Sequence, residues 1–346
     1  MQEKAWTIMS SAFEGHGLQR ALHTRRRGLL PSVSMRTGSS LHTFFDSVVP
    51  RPQGQAYVLL VLVTLTWGAN AVAARLAVGE VSPMMLTSSR WIVCCAALAL
   101  SSRREIATHW RALRPSWLSI TLMGMLGFTG FNALFYAAAH HTTAINIAII
   151  QGTIPVLVLI GSFLFFRSRI GALQVVGVTL TLAGIVVVAS HGRLALLADL
   201  AFNIGDIWMV LACLLYTGYA LGLRNRPQVP AIVFFAATAG VAALTSLPLL
   251  AAEVAMGDFF MPTPTGVALI VFIGLLPSFV SQIFFIQAVA TIGPARAGLF
   301  LNLVPIFGPL LAVMILGEPL SAYHAVALAL VLGGITIAES FGPGKR

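Results

Sequence analysis

One charged residue stands inside an otherwise apolar stretch of this 346-residue chain. Arg90 lies within residues 83–101, which are long and apolar enough to form a membrane-spanning helix. A guanidinium at that depth costs at least about 2.5 to 3.5 kcal/mol on insertion scales, so it needs compensation. Two roles meet that need: Arg90 attracts the carboxylate or phosphate of a solute, or it fastens its helix to neighbouring helices through carbonyls and neutral polar groups. The residues alone leave both roles open.

Aromatic and amide side chains recur at helical spacing in the other apolar stretches. Trp67 and Asn70 are three residues apart, and Asn132 and Tyr136 are four residues apart, so each pair shares one helix face. Rings with a few amides are the usual lining of a small-molecule site, whereas single amides in membranes also form hydrogen bonds between helices. As a set they predict a central substrate-binding cavity. The candidate substrate-binding residues are Trp67, Asn70, Arg90, Asn132, Tyr136, Gln151, Tyr216, Tyr219, Gln282 and Asn302.

Two prolines, Pro155 and Pro305, lie 150 residues apart within apolar stretches. A proline inside a helix removes the hydrogen bond to the carbonyl four residues earlier and kinks the helix. The pair therefore predicts two matching kinks in the middle of their spans. Hinges for movement and static bends required by packing are both compatible with them.

The apolar part of the chain repeats at the same offset. Phe135 and Gly184 recur as Phe285 and Gly334, with five predicted spans between each residue and its mate. Because five is odd, the second copy must cross the membrane in the opposite sense, which is the inverted-repeat plan of secondary transporters. The predicted fold is an all-α integral membrane protein of ten transmembrane helices in two inverted five-helix repeats. The predicted spans are 56–76, 83–101, 116–138, 143–166, 170–190, 204–224, 230–250, 265–288, 294–316 and 321–339.

The composition excludes several classes of protein. Hydrophobic residues make up 58% of the chain and charged residues 9%, too little charge to wet the surface of a soluble domain. The net charge of +10 comes from scattered basic residues without a nucleic-acid-binding module, so we expect no nucleic-acid partner. The three cysteines show no ligand spacing, and neither HExxH nor GxSxG occurs. We therefore expect no metal, no cofactor and no enzymatic activity.

The distribution of Lys and Arg predicts the orientation. With the amino terminus in the cytoplasm, 18 of the 21 basic residues fall on that side, as the positive-inside rule requires. Both termini are then cytoplasmic. The predicted parts are a disordered basic leader (1–55), a first repeat (56–190), an outer loop (191–203), a second repeat (204–340) and a cytoplasmic tail (341–346). Met35 is an alternative start, so whether the leader belongs to the mature protein stays open.

Two runs of sequence resemble a known family. Residues 67–91 read WGANAVAARLAVGEVSPMMLTSSRW, and residues 301–339 read LNLVPIFGPLLAVMILGEPLSAYHAVALALVLGGITIAE. They resemble the EamA family of the drug/metabolite transporter superfamily, with its Trp-Gly, its Arg followed by an aromatic residue, and its Gly-Glu before a Gly-rich last helix. The chain departs from that pattern at 166–171, FRSRIG, where the family usually has Gly-Glu. The resemblance implies a ten-helix carrier of small metabolites, most often an exporter, in the cytoplasmic membrane.

The leading functional prediction is a secondary transporter that moves a small metabolite across the inner membrane by alternating access. The aromatic lining suits an amino-acid-like or other amphipathic solute, and export is the expected direction. A channel or a flippase for lipid-linked anions with the same architecture is the alternative. Uniport, exchange and ion coupling stay open from the residues, as does the choice between a monomer and a homodimer.

The orientation can be tested with a reporter. A protease-cleavable tag fused to Met1 should be cut only after the cells are permeabilised, because the basic segments hold the amino terminus inside. A tag cut in intact spheroplasts would contradict the predicted orientation.

Overall fold

Every regular element in the described part of the chain is a helix. The structure is a computed structural model that describes residues 52–167, 171–192, 203–293, 297–298 and 300–340. The predicted tail, nearly all of the leader and most of the outer loop lie outside the described residues. The all-helical class predicted from hydropathy is therefore confirmed for these ranges.

The described residues of the first half form seven α-helices, two of which are joined by a π-helical segment. The π-helix Met125–Gly130 connects α3 to α4 without a break, and the 3-10 segment Trp110–Ser116 connects α2 to α3. The helices are α1 (Pro52–Leu76), α2 (Pro83–His109), α3 (Trp117–Gly124), α4 (Phe131–Ala138), α5 (Ala144–Gln151), α6 (Ile154–Phe166) and α7 (Ala172–Ala189).

The second half repeats much of this pattern. A π-helix at Gly274–Val280 again joins two α-helices, and it lies about 150 residues after the first one. The helices are α8 (Ile204–Gly222), α9 (Ala231–Met256), α10 (Pro264–Ile273), α11 (Ser281–Ile292), α12 (Val304–Leu311) and α13 (Ala322–Ser340). A 3-10 turn, Phe300–Leu303, precedes α12, and a third π-helix, Ala312–Leu316, follows it.

Six helical stretches of the described residues are long and apolar enough to cross a membrane, so the chain is a multi-pass membrane protein. One of them, Pro83–Ala138, is 56 residues long, more than twice what one crossing needs. Three shorter apolar helices are Ala172–Val188, Phe300–Leu316 and Ala322–Ala338. The six are Gln53–Leu76, Pro83–Ala138, Ala144–Phe166, Ile204–Asn225, Ala231–Met256 and Pro264–Ile292.

Two of the predicted boundaries are wrong. Helix α1 begins at Pro52, so residues 52–55 are helical and do not belong to a disordered leader, since a proline is tolerated in the first turn of a helix. Helix α9 continues to Met256, six residues past the predicted span, and carries Glu253 inside the fold. Pro155 and Pro305 each lie in the first turn of an α-helix that follows a turn or a 3-10 segment within one apolar stretch, so the regular α-helix is interrupted in mid-span as predicted.

The last helices of the two halves pack closely and run antiparallel. A Cβ atom added to Gly177 would lie 2.4 Å from the carbonyl oxygen of Gly334, and one added to Gly184 would lie 3.0 Å from that of Ala327. Residue numbers thus rise along α7 while they fall along α13. Adding 150 to Gly177 gives Ala327, and subtracting 150 from Gly334 gives Gly184, so the first contact is equivalent to the second. The interface is therefore self-complementary, as a two-fold axis requires. These two equivalent helices are inverted with respect to each other.

Four carboxylates at one end of the bundle join the two halves of the chain. Glu80 accepts a hydrogen bond from the hydroxyl of Thr263, and Asp206 accepts one of 2.5 Å from Thr142. Glu318 accepts from the backbone N–H groups of Ala144 and Ile145 at 2.9 and 3.1 Å. Together with Glu253 of α9, these residues form the carboxylate clasp: Glu80, Asp206, Glu253 and Glu318.

Glu253 caps a helix of the other half. It accepts hydrogen bonds from the hydroxyl of Ser82 at 2.6 Å and from the N–H groups of Met84 and Met85 at 3.0 and 3.3 Å. These groups would otherwise be unsatisfied at the start of α2, and a negative charge there also interacts favourably with the helix dipole. Nearby, burial first and then the charges of His141 and Arg75 lower the pKa of His140, so this imidazole is neutral at pH 7 beside Glu253.

Removing one member of the clasp should destabilise the bundle. Glu253→Ala leaves two helix N–H groups and one hydroxyl without an acceptor, which should cost about 1 to 2 kcal/mol. The midpoint of thermal unfolding in detergent should fall by roughly 2 to 4 °C.

Glu105→Ala is the matched control, because Glu105 is an exposed residue of α2 outside the clasp. Its substitution should change stability by less than about 0.5 kcal/mol. Equal unfolding midpoints for the two variants would show that the clasp contributes nothing.

Candidate functional site

Arg90 is buried, with 5% of its surface exposed, and its charge is surrounded by neutral groups. Its Nε and Nη2 atoms donate to the hydroxyl of Ser278 at 3.0 and 2.6 Å. Its Nη1 atom donates to the side-chain oxygen of Asn132 at 2.5 Å and to the hydroxyl of Tyr136. The Tyr136 hydroxyl in turn donates to Asn70 at 3.1 Å. Helices of both halves therefore meet at this one side chain.

The two π-helices position the partners of Arg90. Ser278 lies within the second π-helix, where its hydroxyl also donates to the carbonyl of Ile273 at 2.7 Å, five residues back. Asn132 is the second residue of α4, two residues after the end of the first π-helix, and its amide donates to the carbonyl of Phe128 at 2.5 Å. A π-helical turn is wider than an α-helical turn, so some backbone carbonyls accept hydrogen bonds from side chains. Segments of this kind often occur at functional sites. Here they fix the two acceptors that receive Arg90.

Helix α1 is tied to the same π-helix. The indole Nε1 of Trp67 donates to the carbonyl of Pro277 at 3.0 Å, and the hydroxyls of Thr66 and Ser281 are 2.7 Å apart. The Trp67 ring also packs against Phe285, with the ring centroids 5.7 Å apart. These contacts hold α1 in register, so that Trp67 and Asn70 share the face directed at Arg90.

A cavity of about 180 Å³ adjoins this network. Its lining is largely apolar, and Arg90 is the one Lys, Arg, Asp or Glu among the described residues that line it. The first half contributes Trp67, Asn70 and Gln151, and the second half contributes Tyr216 and Gln282. Such a lining, apolar with a few polar groups, is the usual form of a small-molecule site. The volume lies below the range of roughly 300 to 1,000 Å³ that holds drug-sized ligands, so a compact solute fits best.

The cavity extends from Arg90 away from the carboxylate clasp. Its lining includes Gln174 in the first turn of α7 and Ala338 in the last turns of α13, at the end of the bundle opposite the clasp. On the clasp side the isoleucines of α5, such as Ile145 and Ile147, are completely buried. The described packing therefore closes the path at the clasp and leaves space toward the other end.

Seven of the ten candidate substrate-binding residues line the cavity, and three do not. Tyr136 lies behind the lining, with 2% of its surface exposed. The Tyr219 ring packs against Phe128, with the centroids 5.2 Å apart, and Asn302 lies in the 3-10 turn ahead of α12, outside the lining. The seven that line it are Trp67, Asn70, Arg90, Asn132, Gln151, Tyr216 and Gln282.

The two prolines mark breaks at the level of the cavity. Helix α5 ends at Gln151, Gly152 and Thr153 form a turn, and Pro155 follows in the first turn of α6. Pro305 is likewise in the first turn of α12, after a 3-10 turn. The two breaks are in contact, because a Cβ atom added to Gly152 would lie 2.9 Å from the Pro305 ring. The hinge role of both prolines remains a prediction.

Two residues beside Arg90 were not among the candidate residues predicted from the sequence. Ser278 accepts two of the hydrogen bonds from Arg90, yet a serine in an apolar segment gives no signal of such a role. Trp91 lines the cavity with its ring 5.1 Å from the Arg90 guanidinium carbon. For Trp91 a signal existed, because the Arg-aromatic pair is part of the pattern that the chain shares with the EamA family.

Comparison with protein families gives a repeated match. The model of the EamA-like transporter family matches residues 54–190 and again residues 203–339. The two matches correspond to the two halves that share the π-helices and the close contact between α7 and α13.

Individual relatives are distant but similar over most of their length. An uncharacterized transporter of Bacillus subtilis, YyaM, is 23% identical over 82% of this chain and 93% of its own length. A protein of Streptantibioticus cattleyicolor named "Probable terminal-alkyne amino-acid exporter" is 26% identical over 83% of this chain and 94% of its own. The first is named as a transporter and the second as an exporter.

A solved crystal structure has the same fold. It superposes with a TM-score of 0.57 at 19% sequence identity and covers 83% of this chain and 97% of the other. At this identity the likeness establishes the architecture and nothing about the solute.

The hydrogen bonds to Arg90 can be tested without changing its charge. Tyr136→Phe removes one acceptor for the guanidinium, which should lower the free energy of unfolding by about 1 to 3 kcal/mol. Thermal unfolding in detergent measures the loss.

Tyr57→Phe is the control, since Tyr57 is 38% exposed and its ring stacks on Phe300. This variant should differ from the unaltered protein by less than about 0.5 kcal/mol. If Tyr136→Phe were equally neutral, the Tyr136 hydroxyl would not stabilise the buried charge.

Proposed function

The chain belongs to the EamA-like transporter family, and from this we propose that it is a secondary transporter that moves a small amphipathic metabolite by alternating access. The observation that carries the proposal is the cavity at Arg90, which both halves of the chain build and which is packed shut on the clasp side. A site at the interface of two inverted repeats is where such carriers bind their solutes. Rocking of one half against the other would then expose the site to each side in turn.

The proposed topology has ten crossings in two inverted five-helix repeats. The 56-residue stretch Pro83–Ala138 is long enough for two crossings, and the three shorter apolar helices provide the remaining ones. The antiparallel packing of α7 and α13 supports the inversion. With both termini in the cytoplasm of an inner membrane, the carboxylate clasp lies on the outer side and the cavity extends toward the cytoplasm.

Export of an amino-acid-like solute is the direction and class that we propose. The relative from Streptantibioticus cattleyicolor is named "Probable terminal-alkyne amino-acid exporter". A cavity of about 180 Å³ with rings, amides and one guanidinium suits a compact solute with polar and apolar parts. In this arrangement the site is open to solute from the cytoplasm while the clasp holds the outer side closed.

Counterflow in proteoliposomes tests this function. Vesicles preloaded with an unlabelled mixture of the twenty protein amino acids should take up the same mixture, carbon-14 labelled, several-fold faster than empty vesicles. An alternating-access carrier returns faster when loaded, whereas an open channel shows no such acceleration. Uptake that preloading does not accelerate would support the channel, and no uptake above protein-free vesicles would contradict amino-acid transport.

Trp67→Ala is the variant that should reduce transport, and Trp117→Ala is its control. It removes a ring that lines the cavity, so counterflow should slow by about tenfold. Trp117→Ala removes the same side chain from a position that is 63% exposed and should leave the rate unchanged.

A further inference from the structure

We infer that the cavity recognises a single carboxylate of its solute through Arg90 and Trp91, and a neighbouring hydrogen-bond donor of the solute through Gln151. The inference rests on the proposed transport function and names the chemical class of the solute. That class is a small monocarboxylate that bears an ammonium or hydroxyl group, as amino acids and hydroxy acids do.

The donors of Arg90 exceed the acceptors that surround it. A guanidinium carries five N–H groups, and four hydrogen bonds join it to Ser278, Asn132 and Tyr136. The fifth N–H has no acceptor among the described residues. Every acceptor present is neutral, so the positive charge is solvated by dipoles but not balanced by an opposite charge. An anion that enters the cavity supplies both the missing acceptor and the missing charge.

Trp91 adds a second donor at the same place. Its side chain is 3% exposed, lines the cavity and stacks on Phe128, with the ring centroids 4.7 Å apart. Its indole Nε1–H is buried and has no acceptor within the described part of the chain. A buried donor without a partner destabilises the folded state, so such a group in a native fold calls for an explanation. The second oxygen of a carboxylate held by Arg90 provides it.

Gln151 supplies the complementary group. It is the last residue of α5, at the helix break, and it lines the same cavity. Its side-chain oxygen is buried and accepts no hydrogen bond from the described residues. An oxygen of this kind needs a donor, which the ammonium group of an amino acid or the hydroxyl of a hydroxy acid has.

The charge of the lining excludes other solutes. Arg90 is the single Lys, Arg, Asp or Glu among the described lining residues, so a dianion would enter with one charge unbalanced. A cation without a carboxylate would meet the guanidinium and find no opposite charge in that lining. The carboxylate of a monocarboxylate balances the guanidinium. An amino acid also brings an ammonium group, which the described lining meets with neutral acceptors such as the Gln151 oxygen.

Thermal shift of the purified full-length protein tests the carboxylate. The probes are alanine, leucine and phenylalanine, each beside its hydroxy acid, its des-amino acid and its carboxamide. A ligand that binds the folded state raises the unfolding temperature. In at least one series the three acids should stabilise the protein, and the carboxamide should bind at least about tenfold more weakly, because it lacks the charge. Equal binding of acids and carboxamides, or no stabilisation in any series, overturns the inference.

Two variants separate the two recognition groups. Trp91→Phe keeps a ring against Phe128 and removes the N–H, so it should weaken all the acids by about 3- to 10-fold. Gln151→Met should weaken the amino and hydroxy acids by a similar factor and leave the des-amino acids unchanged. Trp117→Phe, at an exposed position, should change none of these affinities. Unchanged acid binding in Trp91→Phe, or uniform weakening in Gln151→Met, would contradict the assigned contacts.

The two proposals fail in different ways. Acids that bind without counterflow would refute the transport function and leave the recognition site standing. Counterflow of a solute that lacks a carboxylate would support transport and refute the recognition of a carboxylate.

Discussion

A permanently charged side chain without an opposite charge lies at the centre of this bundle, and much of the surrounding structure serves to hold it. A guanidinium cannot shed its proton to escape burial, so it must be solvated where it stands. Asn132 and Tyr136 of α4 and Ser278 of the second half provide that solvation. The π-helices that position Ser278 and Asn132, and the indole of Trp67 that fixes α1 against Pro277, follow from the same requirement. Hydrogen-bond acceptors from both halves of the chain therefore offset the free-energy cost of burying Arg90.

Dipoles can solvate this charge but cannot cancel it. That difference distinguishes Arg90 from an ordinary fastener between helices, because a fastener would be fully satisfied once its hydrogen bonds were made. Here one N–H of Arg90 and the N–H of Trp91 remain without acceptors in the described structure, and both residues border the cavity. Under the proposed recognition of a carboxylate, the structural and the solute-binding roles fall on the same side chain. Four of its N–H groups bond to the protein, and the fifth is the one proposed to bind the solute.

The two ends of the bundle differ although the two halves are related by symmetry. All four carboxylates of the clasp lie at one end and bridge the halves there. An offset of 150 residues relates Glu253 to Arg103 and Glu318 to Ser168, so the sequence does not place equivalent carboxylates at the opposite end. A carrier that alternates between two openings needs two closures of similar free energy. The unequal ends mean that the clasp end has polar contacts between the halves which, under the proposed transport by alternating access, the opposite end must replace by other means.

Sequence alone determined the helical class, the repeat and the family, because hydropathy, the 150-residue offset and the local motifs are one-dimensional signals. It also identified Arg90, since an isolated charge in an apolar segment is conspicuous. The tertiary structure decided what satisfies that charge: Ser278 is 188 residues from Arg90 in the chain and carries no signal of its own. It also decided that Pro155 and Pro305 follow helix breaks, and that Glu253 lies inside the fold, because helix ends and caps depend on contacts with distant segments. A pattern shows which residues are costly to bury, but only the folded bundle shows which neighbours compensate them.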